Sequence, residues 1–250
     1  MVADSVRYAP DSAYAWWRLA ASLAMATVGG IGLWSSVVVL PVVEAEFGVD
    51  RGGASIPYTA TMIGFAIGGV AMGRLADRFG IVVPLLIGSV MLGLGYILAS
   101  QAGGYWQFVA IQALLIGMLG SSAAFAPLVA DVSHWFHRRR GIAVAVVASG
   151  NYLAGAIWPP LLTSAIETVG WREAHFWLGI LCLAVMLPLT FVLRRRAPLD
   201  GPSGSGGTAL QPLPANISPT MLQGLLVLAG IACCVAMAMP QVHIIAYCGD

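Results

Sequence analysis

Charge is scarce in this sequence, with 9% of residues charged and 59% hydrophobic, so each charged cluster is a candidate for work. One cluster is the octet Gly73-Arg74-Leu75-Ala76-Asp77-Arg78-Phe79-Gly80. Arg74 and Arg78 flank Asp77, a spacing that allows an internal ion pair while leaving net positive charge. With a glycine at each end, the octet reads as a tight loop on a membrane surface. A second cluster is Trp135-Phe136-His137-Arg138-Arg139-Arg140-Gly141, with Asp131 about one helical turn before it. Asp131 is expected to pair with Arg138, or with Arg74 across the same face. The arginine triplet also suits anionic lipid and fixes topology, at roughly 1 kcal/mol for each side chain.

Other candidates are polar or aromatic groups inside apolar runs: Trp34, Ser35, Ser36, Phe125, Asn151, Tyr152 and Trp158. Asn151 is the most costly of these to bury without partners. His243, with Tyr247 one turn on, is expected to be the titratable side chain lying well within a span; helices in the first six runs are expected to carry none near their middle. His134 and His137 are three residues apart but lack a Cys or carboxylate cluster to complete a metal site, so no metal is expected. Cys182, Cys233, Cys234 and Cys248 lie in apolar runs without ligand spacing and read as small buried hydrophobes. No phosphate-binding glycine loop, H-E-x-x-H or dinucleotide fingerprint occurs. The expectation is a non-enzyme without cofactor.

The elements that must position these residues follow from run length. Spanning the hydrocarbon core takes about 20 apolar residues in a helix. Seven runs approach that length: Leu19 to Val43, Tyr58 to Met72, Ile81 to Ser100, Tyr105 to Ala130, Gly141 to Ala165, Trp171 to Leu193 and Met221 to Tyr247. The fold class is therefore all-α and polytopic, embedded in a lipid bilayer. With 30 glycines and a net charge of +1, nothing in the composition suits a water-soluble enzyme or nucleic acid as partner.

Positive charge fixes orientation. With the N-terminus inside, ten arginines fall on the cytoplasmic side, and only Arg51 and Arg172 lie outside. Trp16, Trp17, Trp106, Trp135 and Trp171 fall near the expected interfaces. Residues 197–219, with five prolines and Gly201, Gly204, Gly206 and Gly207, read as a flexible linker. The expected organisation is a cytoplasmic segment over 1–18, a six-helix bundle over 19–196, the linker over 197–219, and the first helix of a truncated second bundle over 220–250.

The octet resembles the loop between the second and third helices of the major facilitator superfamily, whose pattern is G-x-L-A-D-R-x-G. Ile81 and Val82 stand where basic residues usually follow. The W-F-x-R-R-R stretch, continuing into Ala145, Ser149-Gly150 and Gly155, and the segment Pro240 to Tyr247 resemble the monocarboxylate and oxalate/formate transporters. The resemblance implies secondary active transport of a small organic anion by alternating access, coupled to a proton or counter-anion, in the cell membrane. It also implies that a second six-helix half is missing from this chain. Gly73, Arg74, Asp77, Arg78, Gly80, Asp131, Arg138 and Arg139 would take gating roles. Trp34, Ser36, Phe125, Asn151, Tyr152, His243 and Tyr247 would face the substrate cavity. Alternatives are a drug or metabolite exporter of the same fold, and a non-transporting half-transporter or regulator.

Overall fold

The computed structural model describes residues 11–195 and, discontinuously, positions between Ser218 and Ala236. His243, Tyr247, the 197–217 stretch of the expected linker, and three of the cysteines, Cys233, Cys234 and Cys248, lie outside the described residues. The regular elements among the described residues are helices, and six helical segments are long and apolar enough to cross a membrane. The chain divides into two units, Met1–Asp200 and Gly201–Asp250.

The first span is α1 (Ala13–Gly29) continued by α2 (Ile31–Val38), followed by the short α3 (Leu40–Phe47). It begins well before the expected Leu19, so Arg18 belongs to the bundle and not to a preceding segment. α4 (Arg51–Phe79) forms the second span and is capped by the Asp50 side chain, which accepts from the Gly53 amide at 2.8 Å. The third span is α5 (Val82–Ser100). The fourth is composite: α6 (Tyr105–Ile111), a π-helical stretch over Gln112–Gly120, a 3₁₀ turn over Ser121–Ala124, and α7 (Ala126–Trp135). α8 (Arg140–Val169) and α9 (Trp171–Val192) complete the set.

The octet corrects its own reading. Residues Gly73 to Phe79 are the last two turns of α4, and the reversal is confined to Gly80, whose φ of 84° suits only glycine. Leucine, alanine and arginine favour helix strongly enough to carry α4 past its apolar run. Close approach is made higher up the same helix. A Cβ at Gly64 would collide with the Ala113 carbonyl, and one at Gly68 with the Met118 carbonyl, whereas Gly69 and Gly73 face open space. The small pair Gly64 and Gly68 thus seats α4 on the π-helical stretch.

The core is filled by Met25, Ile31, Leu85, Leu92, Tyr96, Ile116, Leu128, Trp135 and Met186, drawn from the first, third, fourth and sixth spans. α5 and α9 cross where Gly93 and Gly179 meet backbone to backbone. Two indole N–H groups tie the first span to α8: Trp34 donates to the Asn151 carbonyl at 3.2 Å and Trp158 to the Thr27 carbonyl at 2.8 Å.

Within the second unit, Met221 and Leu222 are helical, and Ser218 accepts from both: its hydroxyl from the Met221 amide and its carbonyl from the Leu222 amide. The expected seventh run, Met221 to Tyr247, opens on these helical residues, and its end lies outside the described residues.

Candidate functional site

Three polar features stand out within the first unit: a shallow concavity and the two ends of the bundle. The concavity holds about 100 Å³ and is lined by Ala26, Gly30, Leu33, Phe65, Ser121, Ala124, Phe125 and Asn151. Its position follows from the break in the fourth span. Pro127 has no amide to donate and crowds the preceding turn, so the helix restarts at Ala126. Phe125 is left at the junction with φ of −120° and ψ of −75°, its ring 6.4 Å from that of Phe65. Ser121 and Asn151 supply the polar side chains of the lining, and the Ser121 hydroxyl is buried without a partner. No lining residue is charged.

The residues singled out from sequence are distributed unevenly around this concavity. Phe125 and Asn151 line it. Trp34 lies beside it, its indole held on the Asn151 carbonyl and packed against Gly155. Tyr152 does not line it and is 57% exposed, because one residue along an α-helix turns the side chain about 100° away. Ser36 is buried elsewhere: its hydroxyl donates to Gln112 Oε1 at 3.3 Å, across the interface between the first and fourth spans. Ser35 likewise meets the Tyr96 hydroxyl at 2.6 Å. These two serines satisfy polar groups in the core and are not cavity groups.

At one end of the bundle the starts of α1 and α8 meet the ends of α7 and α9. Asp131 pairs here with Arg18, not with Arg138 or Arg74 as expected. The pair is bidentate, Nε to Oδ2 at 2.8 Å and Nη2 to Oδ1 at 2.9 Å, and Arg18 is 1% exposed. Arg18 also stacks on Trp135, 4.8 Å from the ring centroid. Trp135 is accordingly buried and not an interfacial ring. Asp11 fixes the neighbouring loop: its amide donates to the Trp135 carbonyl, and its Oδ2 accepts from the amides of His137 and Arg138. Asp11 adopts a φ of 60°, a conformation that aspartate tolerates better than most residues. Tyr14 packs on Trp135 and reaches the Val192 carbonyl; Trp16 packs on Phe136.

Asp77 forms no ion pair with Arg74 or Arg78; the ion pairs among the described residues are Arg18–Asp131 and Arg172–Glu46. All three octet side chains are exposed, where such a pair gains little. The Arg172–Glu46 pair closes the opposite end at 2.6 Å, with Trp171 Nε1 also donating to Glu46 and Arg172 to the Ser100 carbonyl.

No ionisable side chain is expected near the middle of the first six spans; His175 lies near the start of the sixth span, away from that middle, and is nonetheless buried. Its Nδ1 is 2.9 Å from the Trp171 carbonyl, and its ring packs among Tyr96, Phe108 and Trp171. A histidine four residues after an interfacial tryptophan gave no sequence signal of burial. Among the described residues no group of three or more metal-ligating side chains assembles, and His134 and His137 are both exposed.

The model of the Major Facilitator Superfamily matches residues 22–249. The MFS-type transporter pytF of Aspergillus terreus is 34% identical over 141 residues, covering 56% of this chain and 46% of the relative. The agnestins efflux protein AgnL12 of Paecilomyces divaricatus is 31% identical over 167 residues, covering 63% of this chain and 38% of the relative. The fujikurins efflux protein of Gibberella fujikuroi is 31% identical over 144 residues, covering 57% and 30%. The chain spans less than half the length of each of these three relatives. A match running over nearly the whole chain, joined to an all-helical, membrane-spanning fold, means that the chain belongs to the Major Facilitator Superfamily.

Proposed function

We propose that this chain carries the first half of a secondary active exporter of small, weakly polar organic molecules, working by alternating access. The observation that carries the reading is the lining of the concavity: two aromatic rings, aliphatic walls, one amide and one hydroxyl, with no charge. Such a surface binds apolar bodies and orients them through Ser121 and Asn151. The names of two relatives, efflux proteins for agnestins and fujikurins, agree with an organic cargo of this kind.

Transport of a monocarboxylate is the second reading, favoured by the W-F-x-R-R-R stretch and the small residues that follow it. It needs a basic group against the substrate, which the described lining does not supply, so it depends on residues such as His243 or on a second half. Coupling to a proton or counter-anion belongs to both readings. An N-terminus in the cytoplasm of a cell-membrane protein is supported by Arg74, Arg78, Arg138, Arg139, Arg140 and Arg194 sharing one side of the topology. Arg74, Asp77, Arg78, Arg138 and Arg139 would then face the moving partner half as gating contacts. Asp131, engaged by Arg18, would brace that surface from within.

The deciding experiment is efflux from vesicles bearing the product of the complete gene, with agnestins and fujikurins set against lactate, pyruvate, formate and oxalate. Saturable, gradient-dependent export of the larger compounds is expected. Saturable flux of the carboxylates alone would replace this reading with the second.

A further inference from the structure

The end of the bundle built around Asp11 and Asp131 carries a basic surface whose chemistry goes beyond the gating contacts proposed for Arg138 and Arg139. Arg138, Arg139 and Arg140 are consecutive and exposed, and no carboxylate pairs with any of them. Their only described side-chain contacts are uncharged: Arg139 stands over the Trp16 ring at 5.9 Å from its centroid, and Arg140 reaches the Ser133 hydroxyl at 3.4 Å. The nearest acidic groups are already used. Asp131 is consumed by Arg18 inside the bundle, and Asp11 accepts backbone amides of His137 and Arg138. The opposite end differs: there Arg172 is neutralised by Glu46.

The loop is also held in place before any partner arrives. Asp11 pins its backbone, Trp135 and Phe136 are buried beneath it, and Trp16 braces Phe136. Trp16, which Arg139 overlies, is 40% exposed. Indole rings of this kind settle at the level of lipid headgroups, and the positive charge of clustered arginines attracts phosphate oxygens. We propose that Arg138, Arg139 and Arg140, with Trp16 beneath Arg139, form a preordered docking surface for the phosphate headgroup of an anionic phospholipid. An arginine near a charged bilayer surface favours anionic over neutral lipid by about fivefold, so three together give roughly a hundredfold preference.

The test uses the purified 250-residue chain in neutral detergent, titrated with phosphatidylglycerol or phosphatidylcholine and read by native mass spectrometry. A strong preference for phosphatidylglycerol is expected, weakening as ionic strength rises. Changing all three residues to glutamine (Arg138→Gln, Arg139→Gln, Arg140→Gln) should bring the preference close to unity. The corresponding change of all three to lysine should retain most of it and serves as the folding control. Equal preference in the wild-type and glutamine proteins overturns the proposal, as does its loss in the lysine protein. Displacement of the lipid by inorganic phosphate at matched ionic strength would assign the surface to a soluble anion and overturn it too.

Discussion

Arg18 and Asp131 carry the strongest residue-scale consequence. A bidentate pair with one member 1% exposed holds both charges only because each answers the other. Removing one member leaves a buried charge, which costs about 3–5 kcal/mol, whereas replacing both by apolar residues is often neutral or favourable. Asp131→Asn should therefore lower the thermal unfolding midpoint in detergent sharply, and Arg18→Leu combined with Asp131→Leu should recover most of the loss. Additive losses in the double variant would show that the two side chains act separately. The sequence exposed Asp131 as a candidate and hid its partner. An arginine after two tryptophans at the edge of an apolar run reads as an interfacial anchor, and nothing local reveals a carboxylate 113 residues away. His175 escaped for a similar reason, since a histidine's burial depends on which helix covers it.

At the scale of elements, the six spans of the first unit were legible because their apolar runs approach the length the bilayer demands. Their irregularities were not. The shift from α to π to 3₁₀ geometry in the fourth span answers tight backbone contact with α4, in which Gly117 meets the Thr61 backbone and Gly68 meets Met118. Such contact is a tertiary fact. The adjacent glycines of α4 allow a controlled check. Gly68→Ala should separate α4 from the fourth span and destabilise the protein by about 1–3 kcal/mol, the usual range for overpacking. Gly69→Ala adds its methyl to open space and should be neutral or slightly stabilising through helix propensity. Unfolding midpoints of the two variants, measured side by side, separate packing from backbone effects. If they fall together, the fit of α4 on the π-helical stretch is not what limits stability. Of the polar and aromatic groups singled out in apolar runs, Phe125 and Asn151 line the concavity while Ser36 lies at a helix interface, a difference that such a search does not resolve.

Across the whole molecule, the alternation of the spans places Phe79 and Arg140 toward one membrane face and Gly103 toward the other. With the N-terminus inside, Gly103→Cys should react with an impermeant thiol reagent added outside intact cells, and Phe79→Cys only after permeabilisation. The opposite pattern would reverse the proposed orientation. In the transport assay, Asn151→Leu should depress export by roughly tenfold or more if the amide orients cargo in the transition between states, an effect of about 1.4 kcal/mol. Unchanged flux would remove Asn151 from the substrate path. The Arg18–Asp131 pair has one more implication, which concerns time. The ribosome makes Arg18 113 residues before its partner, about 6–20 s earlier at ordinary synthesis rates. During that interval the first helix enters the bilayer with an unanswered cation near its end. Its early seat should be shallow, and it should sink only when the fourth helix arrives, so nascent chains stalled before and after Asp131 should differ in how deeply Arg18 is protected.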